Sequence, residues 1–293
     1  MQHIFIINPH AGKKDQTGRI YEMADRLRQH GLTCQCLLTQ RSGGAEEIAR
    51  RLVSSGEEVR LYACGGDGTL NEVVNGAAGF DNAAVTCIPI GTGNDFLKNF
   101  GPDAAKFTDA ENLWDGEVHP LDLIDCNGRQ CLTIACSGID ARVAESVHEL
   151  GDSPLLSGRG SYLAAVAVNF LFRGIGQRWR VTLDDEVIED DFALVSMCNG
   201  RYYGGGSTPV PEARMDDGVL HPGCGWSPRP DRSQCHLPTE CGRWRFTYGA
   251  GEKHQPHEVR GAVQRLFRWP LPLAAAGGDP GGDCQKRPHS VGR

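Results

Sequence analysis

A glycine-rich run with one acid and one hydroxyl offers the clearest chemistry in this sequence. It reads Gly65-Gly66-Asp67-Gly68-Thr69-Leu70-Asn71-Glu72 and follows the apolar run Val59–Cys64. Glycines let backbone N–H groups approach phosphate oxygens, and the start of a following helix adds a positive dipole end. In this interpretation Thr69 donates to a phosphate, and Asp67 holds Mg²⁺ directly or through water. The competing interpretation is a tight turn with Asp67 as a helix cap.

A second run of similar type comes roughly 25 residues later, at the next predicted strand end. It reads Pro89-Ile90-Gly91-Thr92-Gly93-Asn94-Asp95-Phe96. Thr92 is placed like Thr69, and Asp95 gives a second acid at the same sheet edge. A helix start capped by Asn94 or Asp95 is the alternative. The sequence contains no GxxxxGK[ST] motif, and Gly65–Gly68 is not a GxGxxG fingerprint, so this phosphate site is of another kind.

The elements that must position these runs alternate between strand and helix. Apolar β-rich runs predict strands, and apolar residues at helical spacing predict helices. The predicted strands are His3–Ile7, Leu32–Leu38, Val59–Cys64 and Ala84–Ile88, and the helices are Thr17–His30, Ala45–Val53, Leu70–Ala78 and Asn94–Phe100. This order predicts a Rossmann-like parallel α/β lobe over residues 1–117, with its ligand crevice at the carboxyl ends of the strands.

From about Val118 the pattern changes to an antiparallel, β-rich one, which predicts a β-sandwich domain over residues 118–220. Asn127-Gly128 is a strong hairpin signal, and Trp114–Val118 is the predicted hinge. The predicted strands are Val118–Cys126, Gln130–Ser137, Arg178–Leu183, Glu186–Glu189 and Phe192–Cys198, interrupted by one apolar helix, Tyr162–Phe172.

Composition narrows the class of protein. The net charge of −7 argues against nucleic acid as the main partner, and no apolar run reaches the length of a membrane span. We therefore expect neither a secreted nor a transmembrane protein. Eight cysteines lie in or beside apolar runs before Leu220, which predicts reduced and mostly buried thiols in a cytoplasmic protein. A zinc site built on Cys224, Cys235, His236, Cys241, His254 and His257 is a weaker alternative, because their spacing fits no standard finger.

At these motifs the sequence resembles the diacylglycerol kinase catalytic superfamily, especially its soluble bacterial lipid kinases, over about residues 6–220. The matching motifs are Asn8-Pro9-His10-Ala11-Gly12, Thr39 with Gly43 and Ala45, Gly65–Asn71, Gly91–Phe96, Asn199–Gly206, Pro211–Ala213 and Asp216–Leu220. Ser137-Gly138-Ile139-Asp140-Ala141 departs slightly from the family's Gly-Phe-Asp-Ala.

The resemblance implies that ATP binds between a Rossmann-like lobe and a β-sandwich. The implied nucleotide-binding residues are Asn8, Thr39, Gly65, Gly66, Asp67, Gly68, Thr69, Leu70, Asn71 and Thr92. It also implies an acidic network of Asp67, Asp95 and Asp217 that supports Mg²⁺. A structural Mg²⁺ is implied at Arg214, Asp217 and Val219, held partly by backbone carbonyls.

The catalytic base of the family lies in a late Leu-Asp-Gly-(Glu/Asp) motif, which this sequence lacks. Asp279 and Asp283 are weak candidates for that role, so the base stays unassigned. The resemblance stops at Leu220, where the net charge changes from −12 over residues 1–220 to +5 over 221–293. Pro, Gly and Arg dominate this tail, which favours a shifted reading frame over a genuine basic tail; either way we expect disorder and an incomplete second domain.

Three functions remain open at this point. The first is an ATP- and Mg²⁺-dependent kinase that phosphorylates the hydroxyl of diacylglycerol or a related lipid. Such an enzyme would be cytoplasmic and peripheral to the membrane, where it meets its lipid substrate; a homodimer is left open. The second is an NAD kinase-like enzyme, which shares the Gly-Gly-Asp-Gly-Thr loop. The third is an inactive nucleotide-binding relic that has lost the base.

Overall fold

The computed structural model describes residues 1–138, 177–225, 243–248 and 257–270. The predicted helix Tyr162–Phe172 lies outside these residues, as do Asp279 and Asp283. Within the described ranges, no helix is both long and apolar enough to cross a membrane.

The N-terminal lobe is a four-stranded parallel sheet in the order β2-β1-β3-β4, and helices follow its strands. Its elements are β1 (Gln2–Ile7), α1 (Thr17–Gln29), β2 (Cys34–Leu38), α2 (Gly44–Val53), β3 (Val59–Gly65), α3 (Asp67–Ala77), β4 (Ala83–Pro89) and α4 (Asp95–Lys98). Two 3₁₀ helices follow, Gly101–Thr108 and Ala110–Asn112. The predicted strands and helices of this lobe are confirmed, although α4 is shorter than its pattern indicates.

Burial follows the position of each strand in the sheet. Every residue of β3 is buried, because this strand has neighbours on both sides and its two faces are covered. In α1 the buried residues Ile20, Met23, Ala24 and Leu27 recur at helical spacing and form the face that packs on the sheet. The edge strand β2 has no fully buried residue.

The second region is antiparallel, as predicted, and the described strands form two sheets. They are β5 (Val118–Cys126), β6 (Arg129–Cys131), β7 (Ile134–Gly138), β8 (Gln177–Leu183), β9 (Glu186–Phe192), β10 (Leu194–Cys198), β11 (His221–Gly225), β12 (Arg243–Tyr248) and β13 (His257–Pro270). One sheet has the order β11-β10-β7 and the other β6-β5-β13-β12-β8-β9. Asn127 and Gly128 both have positive φ, 53° and 84°, so the β5–β6 connection is the predicted hairpin turn.

The tail after Leu220 supplies three of these strands, which corrects the expectation that the second domain ends there. Strand β13 lies between β5 and β12 and pairs with both. Pro222 lies in β11, where no strand was expected. That strand is at the edge of its sheet, so the missing N–H of Pro222 need not remove a ladder hydrogen bond.

A buried arginine fixes the predicted hinge to the first lobe. Arg60 of β3 is 3% exposed, and its guanidinium donates to the carbonyls of Leu113, Trp114 and Gly116. The last two distances are 2.7 and 3.0 Å. Because the charge is buried, these carbonyls supply the hydrogen bonds that water would otherwise give it. The connection to β5 is therefore held at its start.

The thiols are less uniformly buried than the sequence predicts. Cys64, Cys87 and Cys198 are buried, whereas the other five cysteines before Leu220 are half-buried. Cys34 and Cys36 belong to the edge strand β2, where the sheet covers only part of each residue. None of the eight forms a disulfide within the described residues.

Candidate nucleotide-binding site

A cavity of about 640 Å³ opens at the carboxyl ends of the four parallel strands. Each strand contributes the loop that follows it, so four separate stretches of sequence meet at one edge. The lining comes from Asn8, His10, Ala11 and Gly12 after β1, Thr39, Arg41 and Ser42 after β2, Gly66–Thr69 after β3, and Gly91–Gly93 after β4, with Ala45 and Glu72 from α2 and α3. The predicted crevice is confirmed as a cavity of ligand size.

Backbone hydrogen bonds join the two glycine runs. The carbonyl of Gly65 accepts from the N–H groups of Ile90 at 3.0 Å and Gly91 at 3.1 Å. A Cβ added to Gly91 would meet the Cα of Gly66 at 2.5 Å, and one added to Gly65 would meet the Thr69 side chain at 2.3 Å. These two positions exclude a side chain because the loops pack closely. Close packing of the two loops therefore requires glycine at these two positions.

Gly66 and Gly68 differ from the packing glycines. A Cβ on Gly66 would contact Gly91 Cα at 3.4 Å, and one on Gly68 would meet nothing within 4 Å. Both residues line the cavity at the beginning of α3, an eleven-residue helix. The N–H groups at the start of a helix have no partner within the helix and can bind an anion. Since protein atoms do not crowd the Cβ positions of Gly66 and Gly68, a phosphate would have room here.

A side-chain hydrogen bond between Asn8 and Thr69 joins the loops that follow β1 and β3. Asn8 Nδ2 donates to Thr69 Oγ1 at 3.1 Å, while Asn8 Oδ1 accepts from the N–H of His10 at 3.0 Å. Thr69 is 7% exposed. Since its oxygen accepts from Asn8, the hydroxyl proton of Thr69 is oriented to donate elsewhere, which suits a phosphate acceptor.

Of the remaining predicted nucleotide-binding residues, some line the cavity and others do not. Thr39 is 8% exposed and lines the cavity, and its N–H donates to the carbonyl of Ile7 at 2.8 Å. Thr92 lines the opposite side and is exposed. Leu70 of α3 is buried and Asn71 of the same helix is half-buried; neither belongs to the lining of this cavity.

Glu72 is a site residue that sequence analysis left without a role. Its two carboxylate oxygens accept from the N–H groups of Gly43 at 2.9 Å and Ala45 at 3.1 Å. These N–H groups lie at the start of α2, where a carboxylate is stabilised by the helix dipole. Glu72 thereby ties α2 to α3 beside the cavity. The glycine-rich run places Glu72 near the site, but it does not show which backbone N–H groups the carboxylate contacts.

The three predicted acids have different surroundings. Asp67 lines the cavity, and its Oδ1 accepts from the N–H of Phe96 at 3.1 Å. Asp95 is 8% exposed; it pairs with Lys98 and accepts from the N–H of Gly205 at 2.7 Å. Asp217 is exposed, and its Oδ1 accepts from the N–H of Val219 at 3.0 Å. Asp67 and Asp95 are thus joined through α4.

No group of three or more His, Cys, Asp or Glu side chains is gathered as a metal site in the part of the chain that the structure describes. A single carboxylate beside the cavity would still fit Mg²⁺, which commonly takes one or two protein carboxylates and fills its other positions with phosphate oxygens and water. Asp67 is the residue placed to supply that ligand.

The turn that carries Arg214, Asp217 and Val219 is held by Asp122, which sequence analysis missed. Asp122 lies in β5 and is 4% exposed. Its Oδ2 accepts from the N–H of Gly218 at 2.6 Å, and its own N–H donates to the carbonyl of Met215 at 2.7 Å. Arg214 is exposed and pairs with Asp216 at 3.2 Å. The structural Mg²⁺ on this turn remains a prediction.

Comparison with known proteins places these features in a family. Residues 2–126 match the family described as the diacylglycerol kinase catalytic domain, and residues 133–222 match the YegS C-terminal NAD kinase beta sandwich-like domain. A Pseudomonas aeruginosa protein named "Probable lipid kinase YegS-like" is 33% identical over 214 residues, which cover 71% of this chain and 68% of that protein. The chain belongs to the diacylglycerol kinase catalytic family.

A further relative and a solved structure are also similar to this chain. A Xanthomonas oryzae pv. oryzae protein of the same name is 28% identical over 218 residues, covering 71% of this chain and 69% of its own. A solved structure of a diacylglycerol kinase from Bacillus anthracis str. Sterne superposes with a TM-score of 0.67 at 22% identity, covering 93% of this chain and 97% of that one. This superposition shows that the chain has the same fold as the solved structure.

Proposed function

We propose that this chain binds Mg²⁺-ATP in the cavity at the sheet edge and transfers the γ-phosphoryl group to the hydroxyl of a lipid. The observation that carries the proposal is that two glycine loops, joined by backbone hydrogen bonds, meet at the start of α3. Asp67 lines the same cavity. The names of its relatives support the lipid as acceptor class.

The residues of the cavity supply positioning and charge neutralisation, which are the main needs of phosphoryl transfer. Backbone N–H groups around Gly66 and Gly68 bind the phosphates, and the Thr69 hydroxyl donates to one of their oxygens. Asp67 holds the metal ion, which when bound neutralises charge on the phosphates. In the transfer the lipid oxygen forms a bond to phosphorus, the bond to ADP breaks, and the hydroxyl proton passes to a carboxylate base.

The sequence feature that opposes activity is the missing Leu-Asp-Gly-(Glu/Asp) motif. A chain without a positioned base would bind ATP but transfer its phosphate slowly, as in the relic interpretation. We propose Asp279 or Asp283 as the base if the chain is fully active. The protein would act in the cytoplasm, where it meets its lipid at the membrane surface without spanning it.

A labelled-ATP assay separates the proposed functions. Purified protein with Mg²⁺ would be offered dispersed diacylglycerol, phosphatidylglycerol, a sphingoid base or NAD, and ATP binding would be measured in parallel by calorimetry. Label in a lipid supports the proposed kinase, whereas label in NAD alone supports the NAD kinase-like enzyme. ATP binding without transfer to any acceptor supports the inactive relic, and absence of ATP binding overturns the assignment of the cavity.

A further inference from the structure

A second cavity of about 510 Å³ lies where the two parts of the chain meet. Its walls come from the end of α4, the start of β5, Arg201 and the segment 213–216. None of these residues lines the nucleotide cavity. The volume is within the range of small-molecule sites, so the second cavity is large enough for a ligand of its own.

The lining of this cavity carries a net positive charge. It includes Arg201, Arg214 and Asp216, whose formal charges sum to +1. Arg214 and Asp216 pair with each other at 3.2 Å, so Arg201 carries the charge that this pair does not neutralise. A cationic wall of this kind favours an anionic ligand.

Arg201 is held in place by contacts on both its backbone and its side chain. Its N–H donates to Asn99 Oδ1 at 2.8 Å, and its Nε donates to the carbonyl of Ala213 at 2.9 Å. The Nε bond fixes the plane of the guanidinium and leaves its two terminal nitrogens as donors. A guanidinium fixed in this way matches the paired oxygens of a phosphate better than a flexible ammonium does.

Much of the remaining lining of the cavity is apolar. Phe100, Pro120, Leu121 and Met215 line it, and Phe100 is itself fixed by ring contacts with Phe96 and Phe107 at centroid distances of 5.4 and 5.2 Å. A free inorganic anion would leave these carbon surfaces in contact with water. A ligand that joins an anionic group to an apolar portion would cover them and gain from their burial.

We propose that this second cavity binds a phosphate-bearing amphiphile, with its phosphate on the Arg201 guanidinium and the beginning of its acyl portion against Phe100, Leu121 and Met215. The inference does not depend on ATP binding or on catalysis, since the two cavities share no lining residue. It adds to the proposed lipid kinase a site where the protein holds an anionic lipid without the nucleotide.

The test uses a soluble short-chain lipid below its micelle concentration and no nucleotide. Binding of dihexanoyl phosphatidic acid to the intact protein would be measured by calorimetry, beside inorganic phosphate and dihexanoyl phosphatidylcholine. We expect the phosphatidic acid to bind about tenfold or more tightly than either of the others, which corresponds to about 1.4 kcal/mol. Equal affinity for inorganic phosphate, or for the zwitterionic lipid, would overturn the assignment.

Arg201→Gln tests the residue that carries the proposal. It should weaken binding of the short-chain phosphatidic acid about tenfold or more, whereas Arg180→Gln should leave it unchanged. Arg180 is an exposed arginine of β8 that pairs with Glu189 and does not line the cavity. If Arg201→Gln fails to fold, Arg201→Lys replaces it and should weaken binding at least twofold, because lysine keeps the charge but not the fixed pair of donors. Parent-like affinity in the folded variant would overturn the proposal.

Discussion

Asp67 accepts a structural hydrogen bond and also lines the cavity. The substitution Asp67→Asn keeps the hydrogen bond and removes the charge. The asparagine oxygen still accepts from the N–H of Phe96, so thermal stability should stay nearly unchanged. The loss of charge should weaken Mg²⁺-dependent ATP binding about tenfold or more, because the metal ion loses its carboxylate. Calorimetry with Mg²⁺ and with EDTA measures the difference. Asp25→Asn, an exposed change in α1, is the matched control; equal Mg²⁺-ATP affinity in Asp67→Asn and the parent contradicts the role.

Gly66→Ala tests whether the cavity needs bare backbone for a ligand rather than for folding. The new methyl would meet Gly91 Cα at 3.4 Å, an ordinary contact, so the fold accommodates it. It would stand in the path of a phosphate and should raise the Kd for ATP about tenfold. Gly18→Ala in α1, where no atom lies within 4 Å, is the control and should leave the Kd unchanged. An unaltered Kd in Gly66→Ala would assign Gly66 to the turn alone.

At the scale of the elements, strand β1 contains a buried histidine that makes stability depend on pH. His3 is 2% exposed, and its Nδ1 lies 2.9 Å from the Tyr62 hydroxyl. Burial, the nearby Arg60 charge and the N-terminus together lower the pKa of His3 to about 4. Because its unfolded pKa is about 6.5, stability present above pH 6.5 is lost as the pH falls towards 4.

The expected loss from His3 is about 2 kcal/mol between pH 7 and pH 5. Urea unfolding at the two pH values measures it in the parent and in His3→Gln, which does not titrate. The variant should have a pH dependence smaller by about this amount, whatever its stability at pH 7. The same pH dependence in both proteins would show that His3 does not titrate as its burial indicates.

Burial also sets the order in which thiols react. It raises the pKa of Cys64 in β3 and of Cys87 in β4, and raises that of Cys198 in β10 to about 12. These three should label slowly in the native protein and fully after unfolding, because the thiolate is the reactive form. The half-buried Cys34 and Cys36 of the edge strand should label first among the eight cysteines before Leu220. Mass spectrometry of a labelling time course checks this order, and early labelling of Cys64 would contradict it.

At the scale of the whole molecule, the tail remains the decisive segment. The match to the second family domain ends at residue 222, yet β12 and β13 fill the sheet between β5 and β8. The frame-shift hypothesis predicts that resequencing the codons for Val219–Cys224 reveals a frame change. The corrected chain should then contain a Leu-Asp-Gly-like motif. The missing base would cost about 10²–10⁴ in rate, so restoring it should raise activity by a similar factor.

Two measurements bear on the chain as it is written. The frame-shift hypothesis predicts protease sensitivity after Leu220, and limited proteolysis with mass spectrometry locates the first cuts. A confirmed reading frame together with phosphorylation of a lipid at ordinary enzyme rates would contradict the hypothesis. Asp279→Asn and Asp283→Asn would then identify the base, since only the variant that lacks it should lose activity about 10²-fold or more.

The sequence by itself determined the parallel lobe and the location of its cavity. Alternating strands and helices require strands that run the same way, so the loops after β1, β2, β3 and β4 must meet at one edge. The glycines at 65, 66 and 91 lie at that edge, which is why the local pattern sufficed to predict a phosphate site. The hairpin at Asn127-Gly128 was predictable for the same reason, since its signal is confined to two adjacent residues.

Only the tertiary structure decided which distant groups meet. Glu72 binds the start of α2, Arg60 holds the carbonyls of the hinge, and Asp122 holds the turn at Gly218; in each case the partners are far apart in sequence. The tail strands were missed because ladder pairing uses main-chain groups, and an edge position tolerates Pro222 despite its poor strand propensity. Local patterns determine the direction and spacing of elements, whereas these contacts exist only after the elements have packed together.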